Sequence, residues 1–301
     1  NIYIESMGCD SNIADATKIR DYFKANNIKV LSNPEDAEYI IFMSCGFNKI
    51  ILNDNIQRLK KLKKKGAKII LAGCIPKMSK ETISLADYSF GPKEIKKLDE
   101  IFGFTVKTTE ISPKFNRDNK KIIRIATGCE GQCSYCAIKI ANGRTKSRKM
   151  ENIREDIKEG INEGYKQFIF TSEDTGSWGQ DIGKNIADLM KKIQKIKGDF
   201  KVAFTTFNPQ WFIYYPELFE LFKLSKIEKR IYFPLQSGSD RILKLMNRKY
   251  SVKEYLNVFI KLKKEIPEMK LQVDVLVGFP SETEEDFKKT LEIIKKLEIY
   301  F

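Results

Sequence analysis

Residues 127–136, Thr-Gly-Cys-Glu-Gly-Gln-Cys-Ser-Tyr-Cys, put Cys129, Cys133 and Cys136 on one short loop with the spacing C-x3-C-x2-C. Three thiolates this close in sequence can each hold one iron of a [4Fe–4S] cluster. The fourth iron is then left without a protein ligand. Ferredoxin-type carriers close all four positions with cysteine, so an open iron suits a cluster that binds a small molecule. Cys133-x-x-Cys136 is also half of a zinc knuckle. A zinc ribbon needs a second close pair, which the chain lacks, and only a distant cysteine could complete four thiolates.

Outward from this loop the chain alternates strand and helix. Ile122–Ala126 reads as the strand that delivers the loop. Helical spacing follows at Asn152–Glu163, where Ile153, Ile157 and Ile161 share a face, and at Val252–Lys264, where Tyr255, Val258, Phe259 and Leu262 do. Strand patterns fall at Gln167–Thr171, Lys201–Thr205, Arg230–Leu235 and Leu271–Val277. A last helix carries Phe287, Leu291 and Ile294, and a sixth strand opens at residues 299–301. The order predicts a partial (β/α)6 barrel over residues 111–301, with its active face at the C-terminal strand ends. Upstream, strands at Ile2–Glu5, Tyr39–Ser44 and Lys68–Ala72 alternate with helices at Ala14–Phe23 and Ile56–Leu62. Residues 1–110 therefore read as a small parallel α/β domain. The polar stretch Lys107–Lys121, with Pro113, reads as the linker.

The remaining cysteines are Cys9, Cys45 and Cys74, each just after one of those first strands. In a parallel sheet the C-terminal strand ends lie side by side and form crevices. Three separate cysteines can converge there on a second metal site. Cysteine is also a common buried residue that packs well at strand ends, and one such cysteine would carry no weight. Three at equivalent places favour the metal.

Composition narrows the chemistry. The chain of 301 residues contains no histidine, which excludes a histidine general base, a Ser-His-Asp triad and histidine-ligated zinc. Six sparse cysteines without a secretory pattern point to a reducing, cytoplasmic setting rather than a disulfide framework. No apolar run reaches the length of a membrane span. The net charge of +14 suits a polyanion such as nucleic acid, although lysine runs such as 60–65 also read as solvated helix faces.

Taken together, these motifs resemble the radical S-adenosylmethionine (SAM) superfamily, and the upstream cysteine triplet resembles its methylthiotransferases. The resemblance covers nearly the whole chain. Its further elements are Ser147-Arg148, Glu173-Asp-Thr-Gly176, Pro234-Leu-Gln-Ser-Gly-Ser239, Met246-x-Arg248-x-Tyr250 and Asp274-Val-Leu-Val-Gly-Phe-Pro280. Ala72-Gly-Cys-Ile-Pro76, Glu173-Asp-Thr-Gly and Asn208-Pro209 look most like the archaeal and eukaryotic branch. That branch acts on N6-threonylcarbamoyladenosine 37 of tRNA, whereas others act on isopentenyl-adenosine or on a ribosomal-protein aspartate.

The resemblance implies two [4Fe–4S] clusters, on Cys129/Cys133/Cys136 and on Cys9/Cys45/Cys74, with SAM as radical and methyl source. One-electron reduction by an external reductant would cleave SAM to a 5′-deoxyadenosyl radical. The radical would take hydrogen from C2 of the adenine, and sulfur from the second cluster would bond there. By family position, Tyr135, Glu173, Asp174, Gln236, Ser237 and Gly278 are cofactor-contact candidates, with Ser239 beside them. Arg144, Lys146, Arg148, Asn208 and Arg248 are candidates for substrate or phosphate contacts, and Trp178 for stacking on a base or for packing. Asn142 stands where the family usually has arginine. The family usually continues into a small tRNA-binding TRAM β-barrel. The expectation here is an incomplete barrel end and no TRAM domain, with tRNA as partner and a non-catalytic iron–sulfur module as the remote alternative.

Overall fold

The computed structural model describes residues 1–64, 66–111, 116–117 and 119–297. The chain divides into two units, Asn1–Arg117 with Ala137–Arg144, and Asp118–Cys136 with Thr145–Phe301.

In the first unit, Ile40-Ile41-Phe42-Met43 and Ile69-Ile70-Leu71-Ala72 are buried without interruption. A strand covered on both faces has no polar side to alternate with, and such runs mark the middle of a parallel sheet. Five strands form it: β1 (Ile2–Ser6), β2 (Val30–Leu31), β3 (Tyr39–Ser44), β4 (Lys68–Gly73) and β5 (Tyr88–Phe90). All pair in parallel, in the order β2-β1-β3-β4-β5. Ile19, Tyr22 and Phe23 of helix α1 (Asp10–Ala25) pack on one face with Ile41, Met43 and Ile70. Leu59 and Leu62 of α2 (Lys49–Lys63) cover the other with Ile40, Phe42 and Leu71. The order reverses between β1 and β3. At such a switch point the connections leave in opposite directions, which opens a crevice at the carboxyl ends of the strands.

The short helix Ile138–Asn142, which follows the cysteine loop in sequence, packs within this first unit against the turn Ile75–Lys77. The segment read as linker starts with a 3-10 turn, Thr108–Glu110, tied down by Asp99, which accepts from Thr108 N at 2.9 Å and Oγ1 at 2.8 Å. Part of the linker reading, and the strand opening at 299–301, lie outside the described residues.

In the second unit the staves follow one another in sequence order. They are β6 (Lys120–Arg124), β7 (Gln167–Thr171), β8 (Lys201–Phe204), β9 (Arg230–Tyr232) and β10 (Lys270–Gln272). β6, β7 and β8 are parallel neighbours, as are β9 and β10, and a parallel bridge from Thr206 to Tyr232 joins the groups. Helices α3 (Met150–Asn162), α4 (Ile186–Gln194), α5 (Val252–Glu265) and α6 (Glu284–Lys296) alternate with them. Their apolar faces supply Ile153, Leu189, Tyr255 and Ile293 to one core. β9 and β10 are shorter than their apolar patterns. Pro234 removes an N–H from the ladder, and Gln236 turns to φ +70°. The bridge from Gln236 to Val275 then replaces regular pairing.

Candidate active site

The loop of Cys129 is held by groups at the ends of the neighbouring staves. After β6 the chain makes a short antiparallel pair, Ala126–Thr127 with Lys146–Ser147. It turns at Gly128, whose φ of +93° suits glycine. Gly128 N donates to Glu173 Oε2 at 2.7 Å, and Arg124 Nη2 donates to Glu173 Oε1 at 3.2 Å. Inside the loop Gly131 N donates to Cys129 Sγ at 3.2 Å. A Cβ on Gly131 would meet the sulfurs of Cys129 at 3.2 Å and Cys133 at 3.7 Å, so the two thiols flank this glycine.

A second segment grips the loop from β9–α5. Ser134 N donates to Met246 O at 3.1 Å, Ser134 Oγ to Leu245 O at 2.8 Å and Asn247 Nδ2 to Gln132 O at 2.9 Å. Arg248 Nη1 donates to Cys133 Sγ at 3.2 Å. Nη2 of Arg248 is buried with no partner among the described residues. Tyr135 packs edge-on against Phe279, ring centroids 6.3 Å apart.

The electrostatics disfavour an uncompensated anion at this site. Burial, and then the negative charge of Asp174, push the Cys129 thiol far up, so a thiolate there calls for a compensating cation. Asp174 is itself buried, and desolvation raises its carboxyl to about 6 against donation from Trp211, Asn208 and Gly176. Trp211 Nε1 donates to Oδ2 at 2.7 Å; Asn208 N and Gly176 N donate to Oδ1 at 3.1 and 3.2 Å.

The second set sits at the switch point. Cys9, Cys45 and Cys74 follow β1, β3 and β4, three adjacent strands. Gly8, at φ +115°, lets the first loop close on the second: a Cβ there would lie 2.7 Å from Cys45 Cβ and 2.9 Å from its sulfur. Asn12 Nδ2 donates to Met7 O at 2.8 Å and Ser44 O at 2.9 Å. Cys45 N donates to Asn55 Oδ1 at 2.9 Å, and Cys74 N donates to Ser44 O at 3.0 Å. Ser44 Oγ donates to Ala72 O at 2.6 Å and accepts from Ile75 N at 3.3 Å. Burial raises the Cys45 thiol, with the Phe47 N–H opposing and Cys9 adding to the rise.

These donors fit iron–sulfur clusters. Both sets are all-thiol, glycines make room beside the sulfurs, and an orphaned guanidinium nitrogen stands ready for an anion beside Cys133. Buried polar groups of that kind need a partner. Among the described residues no three potential ligands already converge on a single ion. A cubane takes one thiolate per iron at separate corners, so its donors need not share a centre.

The other sequence candidates divide between free and committed groups. Gly278 is open, at φ +78°, with its N–H on Glu282 Oε2 at 2.5 Å. Ser237 is fully buried and accepts from Ser239 N at 3.2 Å, and Ser239 Oγ donates to Asp286 Oδ1 at 2.6 Å. Lys146 is exposed on its short strand. Arg144 accepts from Lys93 Nζ through its carbonyl at 2.5 Å. Arg148 Nη1 donates to Arg124 O at 3.0 Å and Asp156 Oδ2 at 2.8 Å. Asn208 is buried and its Oδ1 accepts from Gln210 N at 3.2 Å. Asn142 is buried, its Oδ1 without a partner among the described residues. Trp178 is packing: it is fully buried and its indole N–H donates to Arg148 O at 3.0 Å. Sequence reasoning did not single out Asn12, Ser44 or Trp211, which bond partners distant in sequence, nor Asn55. The signal available for Asn12 and Asn55 was a polar residue at a core position of a helix.

A family model described as the radical SAM superfamily matches residues 123–294, and one described as uncharacterized protein family UPF0004 matches residues 1–90. The chain is 35% identical to a "probable threonylcarbamoyladenosine tRNA methylthiotransferase" of Archaeoglobus fulgidus, over 98% of this chain and 73% of the relative. It is 30% identical to a "tRNA-2-methylthio-N(6)-dimethylallyladenosine synthase" of a Thermoanaerobacter species, over 99% and 69%. Among solved structures it resembles the radical SAM methyltransferase TsrM of Kitasatospora setae, with a TM-score of 0.73 and 10% identity over 99% of this chain and 71% of that one. That likeness extends to the fold alone.

Proposed function

Because this chain belongs to the radical SAM tRNA methylthiotransferases, we propose that it places a methylthio group on C2 of N6-threonylcarbamoyladenosine 37 in tRNA. The observation that supports the reading is the pair of three-cysteine sets, one just after adjacent strands of the first unit and one on a single loop of the second, in a chain whose archaeal relatives at 31–35% identity carry threonylcarbamoyladenosine in their names. The 30–33% identity to the dimethylallyladenosine synthases supports a second reading, the same chemistry on an isopentenyl-type adenosine. A ribosomal-protein aspartate is a third target, and its outcome is read in the same experiment.

Cys129, Cys133 and Cys136 would hold one cluster with SAM, and Cys9, Cys45 and Cys74 the other. Together these groups supply a 5′-deoxyadenosyl radical, sulfur and a methyl group when bound. The protein's share is placement. Glu173 fixes the entry of the first loop through Gly128 and Arg124, and each of its oxygens keeps a lone pair for an ammonium. Tyr135, Gln236, Ser237 and Gly278 line the cofactor side in this reading, and Arg144 and Lys146 offer charge to phosphate. An external one-electron reductant starts the cycle. The setting is the cytoplasm, where tRNA is modified; among the described residues no helix is long and apolar enough to cross a membrane.

The test is anaerobic reconstitution with iron and sulfide, followed by SAM, reductant and tRNA carrying either modified adenosine, or ribosomal protein. Mass spectrometry of nucleosides and peptides reads the product. Cys129→Ala is expected to abolish SAM cleavage. Cys9→Ala is expected to keep some cleavage and lose sulfur insertion. Methylthiolation intact in Cys9→Ala overturns the two-cluster assignment. No 5′-deoxyadenosine under any condition overturns the enzyme.

A further inference from the structure

The guanidinium of Arg248 has an unusual set of partners for a residue that sequence position alone offers as a phosphate contact. Its Nη1 donates to Cys133 Sγ at 3.2 Å. Its Nε donates to Tyr250 Oη at 3.0 Å, and the group lies over the Tyr250 ring at 4.9 Å. Tyr250 is itself fixed, its hydroxyl against the carbonyls of Pro234 at 2.9 Å and Leu235 at 3.1 Å. The backbone on either side is stitched to the cysteine loop by Ser134 and Asn247. The side chain is thus held on one face by an aromatic ring and on one edge by a hydroxyl, with its other edge turned to a sulfur. A surface arginine reaching for phosphate would need neither support.

From this geometry we propose that Arg248 is a positioning residue for the radical cluster. It donates a charged hydrogen bond to the thiolate of Cys133, the middle ligand of the loop, and thereby makes the cluster easier to reduce. Tyr250 sets its angle. The physical reason is electrostatic. When a [4Fe–4S]2+ cluster takes one electron to become the 1+ form, no bond is made or broken, but the negative charge on its sulfurs rises. A donor aimed at one of those sulfurs stabilises the reduced form more than the oxidised form, and hydrogen bonds to cluster sulfurs are among the main determinants of potential. A guanidinium is the strongest such donor because its charge adds to its geometry. The inference rests on the reading of Cys129, Cys133 and Cys136 as the ligands of the SAM-binding cluster.

The experiment uses the full chain with both cysteine sets reconstituted. Samples are poised with dithionite and mediators at the wild-type midpoint, and reduced cluster is counted by electron paramagnetic resonance. The signal that changes on adding SAM belongs to the Cys129 loop. With iron content at the wild-type level, Arg248→Gln is expected to lower the ratio of reduced to oxidised cluster about tenfold. Arg248→Lys, which keeps the charge but not the fork, is expected to recover part of it. Tyr250→Phe is expected to shift the ratio less and in the same direction. A wild-type ratio in fully loaded Arg248→Gln overturns the proposal. If Arg248→Gln fails to load, Tyr250→Phe decides, and a wild-type ratio there overturns it equally. A loaded wild-type protein with no SAM-sensitive signal overturns the ligand reading itself, and the proposal with it. A signal that is present but unmoved by the variants overturns the proposal alone.

Discussion

At the scale of single residues, the site depends on groups chosen for what they leave out or keep dry. Gly8 is one. A methyl group there would run into Cys45 and force an L side chain to φ +115°. Gly8→Ala is expected to cost about 1–3 kcal/mol and to reduce iron bound by the Cys9 set, read by chemical denaturation and by iron per chain. Asp174 is another. Its carboxyl is raised to about 6 by burial, so the folded protein holds that proton more tightly than the unfolded chain does. The sign follows from linkage: its contribution is full below the ordinary carboxylate range near pH 4 and is lost as pH rises through about 6. Asp174→Asn removes this dependence but leaves the Trp211 N–H facing an amide. The urea midpoint of the wild type, relative to that of the variant, is therefore expected to fall between pH 4 and 7. A constant difference would mean that Asp174 does not titrate in that window.

At the scale of elements, short strands and strand ends are where the sequence was least legible. The apolar periods of α3 and α5 and the buried runs of β3 and β4 could be read directly, because burial on one or both faces leaves a period in the sequence. The strands Val30–Leu31 and Tyr88–Phe90 are too short to carry a period. The ends of β9 and β10 yield to Pro234 and the turned Gln236. Near the candidate site, the placement of Cys9, Cys45 and Cys74 after adjacent strands was legible from context, whereas the hydrogen bonds of Glu173, Arg248 and Asn12 join partners that only folding brings close. Asp286 shows the same limit. It caps α6 through Thr283, accepts from Ser239 in the turn after β9, and pairs with Arg241. These partners, Arg241 first, hold its carboxyl far below the usual range. Its contribution is present above the ordinary carboxylate pKa and is lost as pH falls toward the depressed one. Asp286→Asn is expected to lower the melting temperature at pH 7, and the gap to wild type to narrow in acid.

At the scale of the molecule, charge decides how a nucleic acid would meet this chain. With 54 Lys and Arg against 40 Asp and Glu, tRNA binding is expected to weaken steeply with salt. The logarithm of affinity should fall linearly with the logarithm of salt concentration as counterions are released. A filter-binding series that proved flat in salt would contradict a tRNA partner. The two cysteine sets also differ in a way that concerns how the molecule is made. Cys129, Cys133 and Cys136 lie within eight residues, so even an unfolded chain closes that loop at little entropic cost. Cys9, Cys45 and Cys74 meet only after β1, β3 and β4 have paired. If each trio holds a cluster, as proposed, assembly on the nascent protein would have an intrinsic order: the local trio could capture iron before folding, whereas the dispersed trio would wait for a finished sheet.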